Sequence, residues 1–281
     1  MIKSILVAVH RSPAAQPAMA LAARLARAGG ARITGLYVED PSRFVYVPLF
    51  TAATSPILGE PPVMAPLSPR EMLAEEERQE QEEKELAATF EDICRKEQLT
   101  GQFQILQGPV DELLLQRSRR VDLLVLGYDR GHAAAEGLLE RVLRNSARPV
   151  LVVPEDARME GPLLVAYDGT PGSQRALATA AALVGCGAAP EIAVVTVAED
   201  ADDAAPLQAE ARAYLEPYTA RARSLVRVGD SVAGIVATAD EIGAGLIAMG
   251  AFGESGFAEL LEGSTTREVL ASAPCPVLLV S

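Results

Sequence analysis

Leu246-Ile247-Ala248-Met249 is followed by Gly250-Ala251-Phe252-Gly253 and, after nine further residues, by Gly263-Ser264-Thr265. Four apolar residues closed by a glycine predict a buried strand. The hydroxyl residues, with a helical pattern after them, predict a helix start. Glycines let main-chain N–H groups come close to an anion, and a helix start offers unpaired donors and a positive dipole end. The stretch therefore predicts a loop suited to phosphates, placed at the carboxyl end of a strand.

Working outward, the same pieces occur twice. Leu163-Leu164-Val165-Ala166-Tyr167 matches Ile5-Leu6-Val7-Ala8-Val9, Thr170-Pro171 matches Ser12-Pro13, and Pro276-Val277-Leu278-Leu279-Val280 matches Pro149-Val150-Leu151-Val152-Val153. A Ser or Thr cap followed by proline opens a helix. Residues Met19, Ala22, Leu25 and Ala26 share one helical face, as do Ala176, Leu177, Ala180, Ala181 and Val184. The chain therefore reads as an internal duplication, 1–154 and 161–281, joined by a polar linker. Short apolar strands alternating with amphipathic helices predict an α/β fold: two tandem doubly wound domains, each a five-stranded parallel sheet flanked by helices. Ligands of such sheets bind beyond the carboxyl ends of the strands, where the strand order reverses. Ala166-Tyr167-Asp168-Gly169-Thr170 ends one strand as Met249-Gly250 ends another, so the two loops can face one ligand.

Two segments depart from the repeat. The proline-rich residues 40–69 read as a long loop that carries Phe44, Val45, Tyr46, Val47, Leu49 and Phe50, against its own domain or a partner. A long helix over 68–98 has an acidic, solvated first half, Glu75 to Glu83, and a core stripe of Leu86, Phe90 and Ile93.

Composition narrows the function. The formal charge of −13 opposes a duplex nucleic-acid partner, and the chain has no Trp for stacking single strands. Cys94, Cys186 and Cys275 have no metal-ligand spacing and only His10 and His132 beside them, so buried inert thiols are expected rather than a metal site. No apolar run is long enough to span a bilayer, and the first residues look like a strand rather than a secretion signal, so a cytoplasmic protein is expected.

These residues together resemble the universal stress protein family in its tandem form, with the adenine nucleotide α-hydrolase-like fold. The resemblance rests on Gly250-x2-Gly253-x9-Gly263-Ser264, on Val165-Ala166-Tyr167-Asp168-Gly169-Thr170, on Val228-Gly229-Asp230 before a helix, and on Pro274-Cys275-Pro276-Val277. It implies ATP, with or without Mg2+, as ligand. Asp168 would accept from the adenine amino group, with Ala166 and Tyr167 lining the base and the main chain of Val197 at its edge. Met249 and Gly250 would lie near the ribose, and Gly253, Gly263, Ser264 and Thr265 would hold the phosphates. It also implies internal pairing of the two halves through their last strands, leaving open a homodimer of chains and any protein partner.

The sequence departs from the family at two places. Ala251-Phe252 stand where members often carry His or Arg, which removes a cation. In the first half His10 stands where Asp168 does, and Glu136-Gly137 falls over Gly263-Ser264. With Asp129 adding charge of the wrong sign, the first half is expected to hold no ATP. No Walker-type lysine, general-base histidine or evident carboxylate pair accompanies the glycines. The expected role is a sensor or regulatory module. A slow ATPase, or an autokinase with Ser264 or Thr265 as acceptor, is one alternative, and an interaction protein with a vestigial motif is another.

Overall fold

A computed structural model describes residues 2–40, 46–48, 64–66, 69–130, 133–218, 222–251 and 265–281. In chain order the first half contains β1 (Ser4–Val9), α1 (Ala15–Gly29), β2 (Arg32–Glu39), β3 (Tyr46–Pro48), β4 (Met64–Pro66), α2 (Pro69–Lys96), β5 (Gly101–Gln107), α3 (Val110–Ser118), β6 (Leu123–Tyr128), α4 (Ala133–Asn145) and β7 (Val150–Pro154). The second contains β8 (Leu163–Ala166), α5 (Pro171–Gly185), β9 (Ile192–Ala198), α6 (Ala201–Leu215), β10 (Ala222–Val228), α7 (Ser231–Glu241), β11 (Leu246–Gly250), α8 (Thr265–Ser272) and β12 (Val277–Val280).

Ten strands form one sheet in the order β10-β9-β8-β11-β12-β7-β6-β1-β2-β5. Among the described strands of this sheet, neighbours within each half are parallel, and β7 and β12 run antiparallel, with Val277 opposite Val152 and Leu279 opposite Val150. The two five-stranded sheets are thus one continuous surface. Each last strand covers the other's edge, which would otherwise expose unpaired main-chain groups. Because the join is antiparallel, the carboxyl ends of the two halves lie on opposite edges of the sheet.

The helices divide by face. One apolar cluster takes Met19 and Ala22 of α1, Phe90 of α2, Leu177 and Ala180 of α5, and Leu215 of α6. The opposite cluster takes Leu114 of α3, Val142 of α4, Ile235 of α7, and Val269 of α8. Inner strands such as β6, β7, β8 and β12 are buried on both sides, so they read as unbroken apolar runs, whereas the edge strands β5 and β10 are partly exposed and carry polar residues. The stripe of Leu86, Phe90 and Ile93 packs inward, and the described side chains of the acidic run, Glu77 and Glu80 among them, are exposed while Glu82 and Glu83 are half-buried.

Two elements differ from expectation. Residues 46–48 and 64–66 pair as a short antiparallel ladder within what the prolines predicted as loop. The apolar residues at 44, 45, 49 and 50 fall outside the described residues. Helix α1 begins at Ala15 behind Ala14, with no side-chain cap, rather than at the Ser12-Pro13 pair, because the Ser12 hydroxyl is engaged by His10. Helix α4, Ala133–Asn145, runs through Gly137. Residues 133–135 are all alanine, the strongest helix former, and one glycine costs too little to stop the helix.

Candidate functional site

The crevice of the second half opens where β8 and β11 lie side by side. Crossovers α5 and α6 leave for β9 and β10 on one face of the sheet, whereas α7 and α8 serve β11 and β12 on the other. Ligands of such sheets bind at this kind of reversal, beyond the carboxyl ends of the strands. The ends of β8, β9 and β11 bring Ala166, Asp168, Val197, Met249 and Gly250 to that edge, and Thr265 begins α8. Gly253, Gly263 and Ser264 lie outside the described residues.

Asp168 is exposed and starts the turn into α5. Its Oδ1 accepts from the Thr170 main-chain N–H at 3.0 Å and from the Thr170 hydroxyl at 2.6 Å. Thr170 in turn caps α5, accepting from the Ser173 N–H at 3.3 Å, with Pro171 at the first helical position. One carboxylate oxygen is thus spent on local structure, in a standard aspartate turn. The other projects from an exposed side chain at the mouth of the crevice.

Gly250 has a packing reason of its own. A Cβ on it would lie 3.0 Å from the main-chain carbon of Gly172 and 3.0 Å from the nitrogen of Ser173. The first turn of α5 rests directly on the end of β11, and only glycine leaves the room. Gly127 holds the equivalent place in the first half: a Cβ there would sit 2.8 Å from the carbonyl oxygen of Ala14, at the start of α1.

Tyr167 corrects an expectation. It is 2% exposed and belongs with Leu163 and Val165 to the core beneath α5. Ala166, Val197 and Met249 belong to the opposite cluster. Burial, and then the carboxylate of Glu210 to which it hydrogen-bonds, push the Tyr167 phenol up to about 12. The ring packs beneath α5, on the opposite face of the sheet from Ala166, Val197 and Met249. Strand alternation carries the signal: Tyr167 has the parity of Leu163 and Val165, and successive side chains point to opposite faces.

Sequence reasoning also left out the main-chain support behind the crevice. Gln208 of α6, 5% exposed, donates through Nε2 to the Thr196 hydroxyl at 2.9 Å and the Leu225 carbonyl at 2.9 Å, and Thr196 donates to the Tyr167 carbonyl at 2.9 Å. This ties β8, β9 and β10 together just below their ends. A glutamine in an otherwise apolar helical stripe was the available sign. Asp230, after Val228-Gly229, caps α7 by accepting from the Ala233 N–H at 2.8 Å.

The counterpart in the first half is occupied by the chain's own groups. Asp129, just past β6, turns onto the start of α1 and accepts from the Ala14 N–H at 3.2 Å. A carboxylate therefore sits where an anion would meet that helix. His10 Nε2 lies 2.9 Å from the Ser12 hydroxyl and 4.0 Å from Asp129 Oδ2. Ser, His and Asp are adjacent, but both partners face the same ring nitrogen, which is not the arrangement of a catalytic triad. Nearby, Glu39 at the end of β2 accepts from Gln107 Nε2 at 2.7 Å and from Gln79. It also shares a proton with Glu83 of α2, whose carboxyl is pushed up to about 7, first by that hydrogen bond and then by burial. Neither Gln79 nor Glu83 was singled out by the sequence, because α2 reads as a solvated helix.

Two of the three thiols are shielded by burial. Cys94 and Cys275 are buried and Cys186 is half-buried, all three free; burial raises the Cys94 thiol and pushes that of Cys275 up to about 12. Among the described residues no three His, Cys, Asp or Glu side chains gather as a metal site, and no helix is long and apolar enough to cross a membrane.

The universal stress protein family pattern matches residues 1–59 and 159–281. The chain belongs to the universal stress protein family. A universal stress protein of Synechocystis is 30% identical over 166 residues, 56% of this chain and 57% of that protein. One of Mycobacterium tuberculosis is 36% identical over 88 residues, 28% of this chain and 27% of its own. The chain thus aligns with little more than half the length of the first and about a quarter of the second. The structure of a universal stress protein from Archaeoglobus fulgidus superposes with a TM-score of 0.73 at 21% identity, covering 99% of this chain and 96% of that one. One from Pseudomonas aeruginosa gives a TM-score of 0.59 at 15% identity, covering 100% and 93%. At these identities the two structures establish the fold, an adenine nucleotide α-hydrolase-like sheet.

Proposed function

We propose that the second half, 161–281, holds one adenine nucleotide, ATP with or without Mg2+, and acts as a cytoplasmic sensor or regulatory module of the stress response. The observation that carries this is the meeting of two strand ends at one reversal: the Asp168 turn after β8 and Gly250 at the end of β11. In this reading Asp168 accepts from the adenine amino group with its outer oxygen. Ala166 and the main chain of Val197 border the base, and Met249 and Gly250 border the ribose. Gly253, Gly263, Ser264 and Thr265 hold the phosphates. The first half, 1–154, binds no ATP, because Asp129 covers the start of α1 and repels an incoming phosphate.

Titration calorimetry and native mass spectrometry of the intact chain with ATP test this. One nucleotide per chain is expected. Asp168→Ala should weaken binding by about 1–3 kcal/mol, the range for losing a buried hydrogen-bond partner. No heat and no bound nucleotide would end the reading; two nucleotides per chain would refute the part concerning the first half.

A further inference from the structure

A cavity of about 290 Å³ lies between α4 and α8, on the face of the sheet where the two halves meet. Its inner wall is apolar: Tyr128, Leu139, Leu143 and Leu270, each 5–7% exposed. At its rim Glu136 Oε2 of α4 stands 3.8 Å from Arg267 Nη2 of α8. We propose that this cavity is a binding site for a small uncharged molecule with a two-ring-sized apolar body and a hydroxyl or amide head.

Size sets the body. A dry apolar cavity of about 150 Å³ accepts benzene. This one has roughly twice that volume and falls near the lower bound of ordinary ligand pockets. The rim sets the head. A carboxylate and a guanidinium facing each other favour a group that both donates and accepts. A single full charge there would meet a like charge as well as an opposite one. The Thr266 hydroxyl, also on the wall, is taken up by the Ala251 carbonyl at 3.0 Å, and Glu140 Oε1 by Arg144 Nη2 at 2.7 Å, so neither adds an unpaired group.

The internal duplication explains why such a site can exist here. The shift in sequence that lays Val150 on Val277 also lays Leu139 on Thr266, Glu140 on Arg267 and Leu143 on Leu270. The two walls are therefore the same positions of the two halves, facing each other across their join. Arg267 stands where the first half has Glu140, so two copies of the first half would set Glu136 of one against Glu140 of the other. Within one chain the walls have diverged, giving opposite charges at the rim and an apolar interior.

The proposal does not rest on nucleotide binding, and its test is separate. The probe is 2-naphthol, titrated into the intact chain and followed by its fluorescence and by calorimetry, with naphthalene-2-sulfonate as the charged comparison. One saturable site for 2-naphthol is expected, with at least ten-fold weaker binding of the sulfonate. Gly137→Leu should fill the cavity and cut affinity about ten-fold or more. Gly137 lies within α4, where a Cβ would meet only Arg141 Nη1 at 3.5 Å, so a better helix former there keeps the fold. Leu143→Trp provides a second filling variant, with the melting temperature of each recorded. Asp168→Ala should bind 2-naphthol as the parent does. Absence of saturable binding overturns the proposal, as does binding that survives both filling variants. Loss confined to Asp168→Ala also overturns it, because that places the probe in the adenine crevice.

Discussion

Gly250→Ala separates two readings of the glycine that opens the motif. If Gly250 were needed only for a ligand, an added methyl would leave the empty protein unharmed or slightly steadier, since alanine restricts the unfolded chain by about 0.4–1 kcal/mol. The structure predicts the opposite. The new Cβ would lie 3.0 Å from two main-chain atoms of Gly172 and Ser173, well inside the roughly 3.5–4.0 Å of an ordinary carbon contact. Neither atom can swing away, because both belong to the capped first turn of α5. That turn must move by several tenths of an ångström, and overpacking of this kind costs about 1–3 kcal/mol. The net loss is about 1–2 kcal/mol, or roughly 2–4 °C in melting temperature for a protein of this size. Gly127→Ala should lose at least as much, because its Cβ would approach the Ala14 carbonyl to 2.8 Å. Thermal unfolding without nucleotide, followed by circular dichroism, measures both. An unchanged or raised melting temperature for both variants would refute the packing argument. A loss for Gly127→Ala alone would return Gly250 to a purely ligand-bound role.

Two further predictions follow from the ionisable groups. Glu83 keeps its proton in the folded protein up to about pH 7 but gives it up at an ordinary carboxyl value when unfolded. Its contact with Glu39 is therefore fully stabilising in acid and fades as pH rises through 7, with the lowered Glu39 acting in the opposite sense at lower pH. The pair is largely solvated, so the effect should stay below about 1 kcal/mol. Glu83→Gln should flatten the melting temperature between pH 5 and pH 8; parallel curves for parent and variant would contradict this. For the thiols, a disulfide reagent at pH 8 should label native Cys275 and Cys94 only at the rate of unfolding, because burial both shields them and disfavours the thiolate. Rapid labelling of either in the native protein would show the core to be more open than described.

Much of this protein was legible in its sequence because the controlling interactions are local. Hydrophobic period, helix caps at Thr170 and Asp230, and the repeated strand sequences depend on residues a few positions apart, and the structure shows the elements they imply. The turn at the end of β8 was legible for the same reason. Three matters were decided only by tertiary packing. The merging of two sheets into one comes from the antiparallel meeting of β7 and β12, where Val152 lies opposite Val277, 125 residues further along the chain. The crowding at Gly250 comes from the approach of α5, which no local pattern records, and Gly127 meets the start of α1 in the same way. The self-occupied first half comes from Asp129 reaching the start of α1, far away in sequence, so its charge could be read in advance but not its partner. Sequence fixes what each segment prefers; which donors, carboxylates and glycines finally meet is set by the distant contacts that close the sheet.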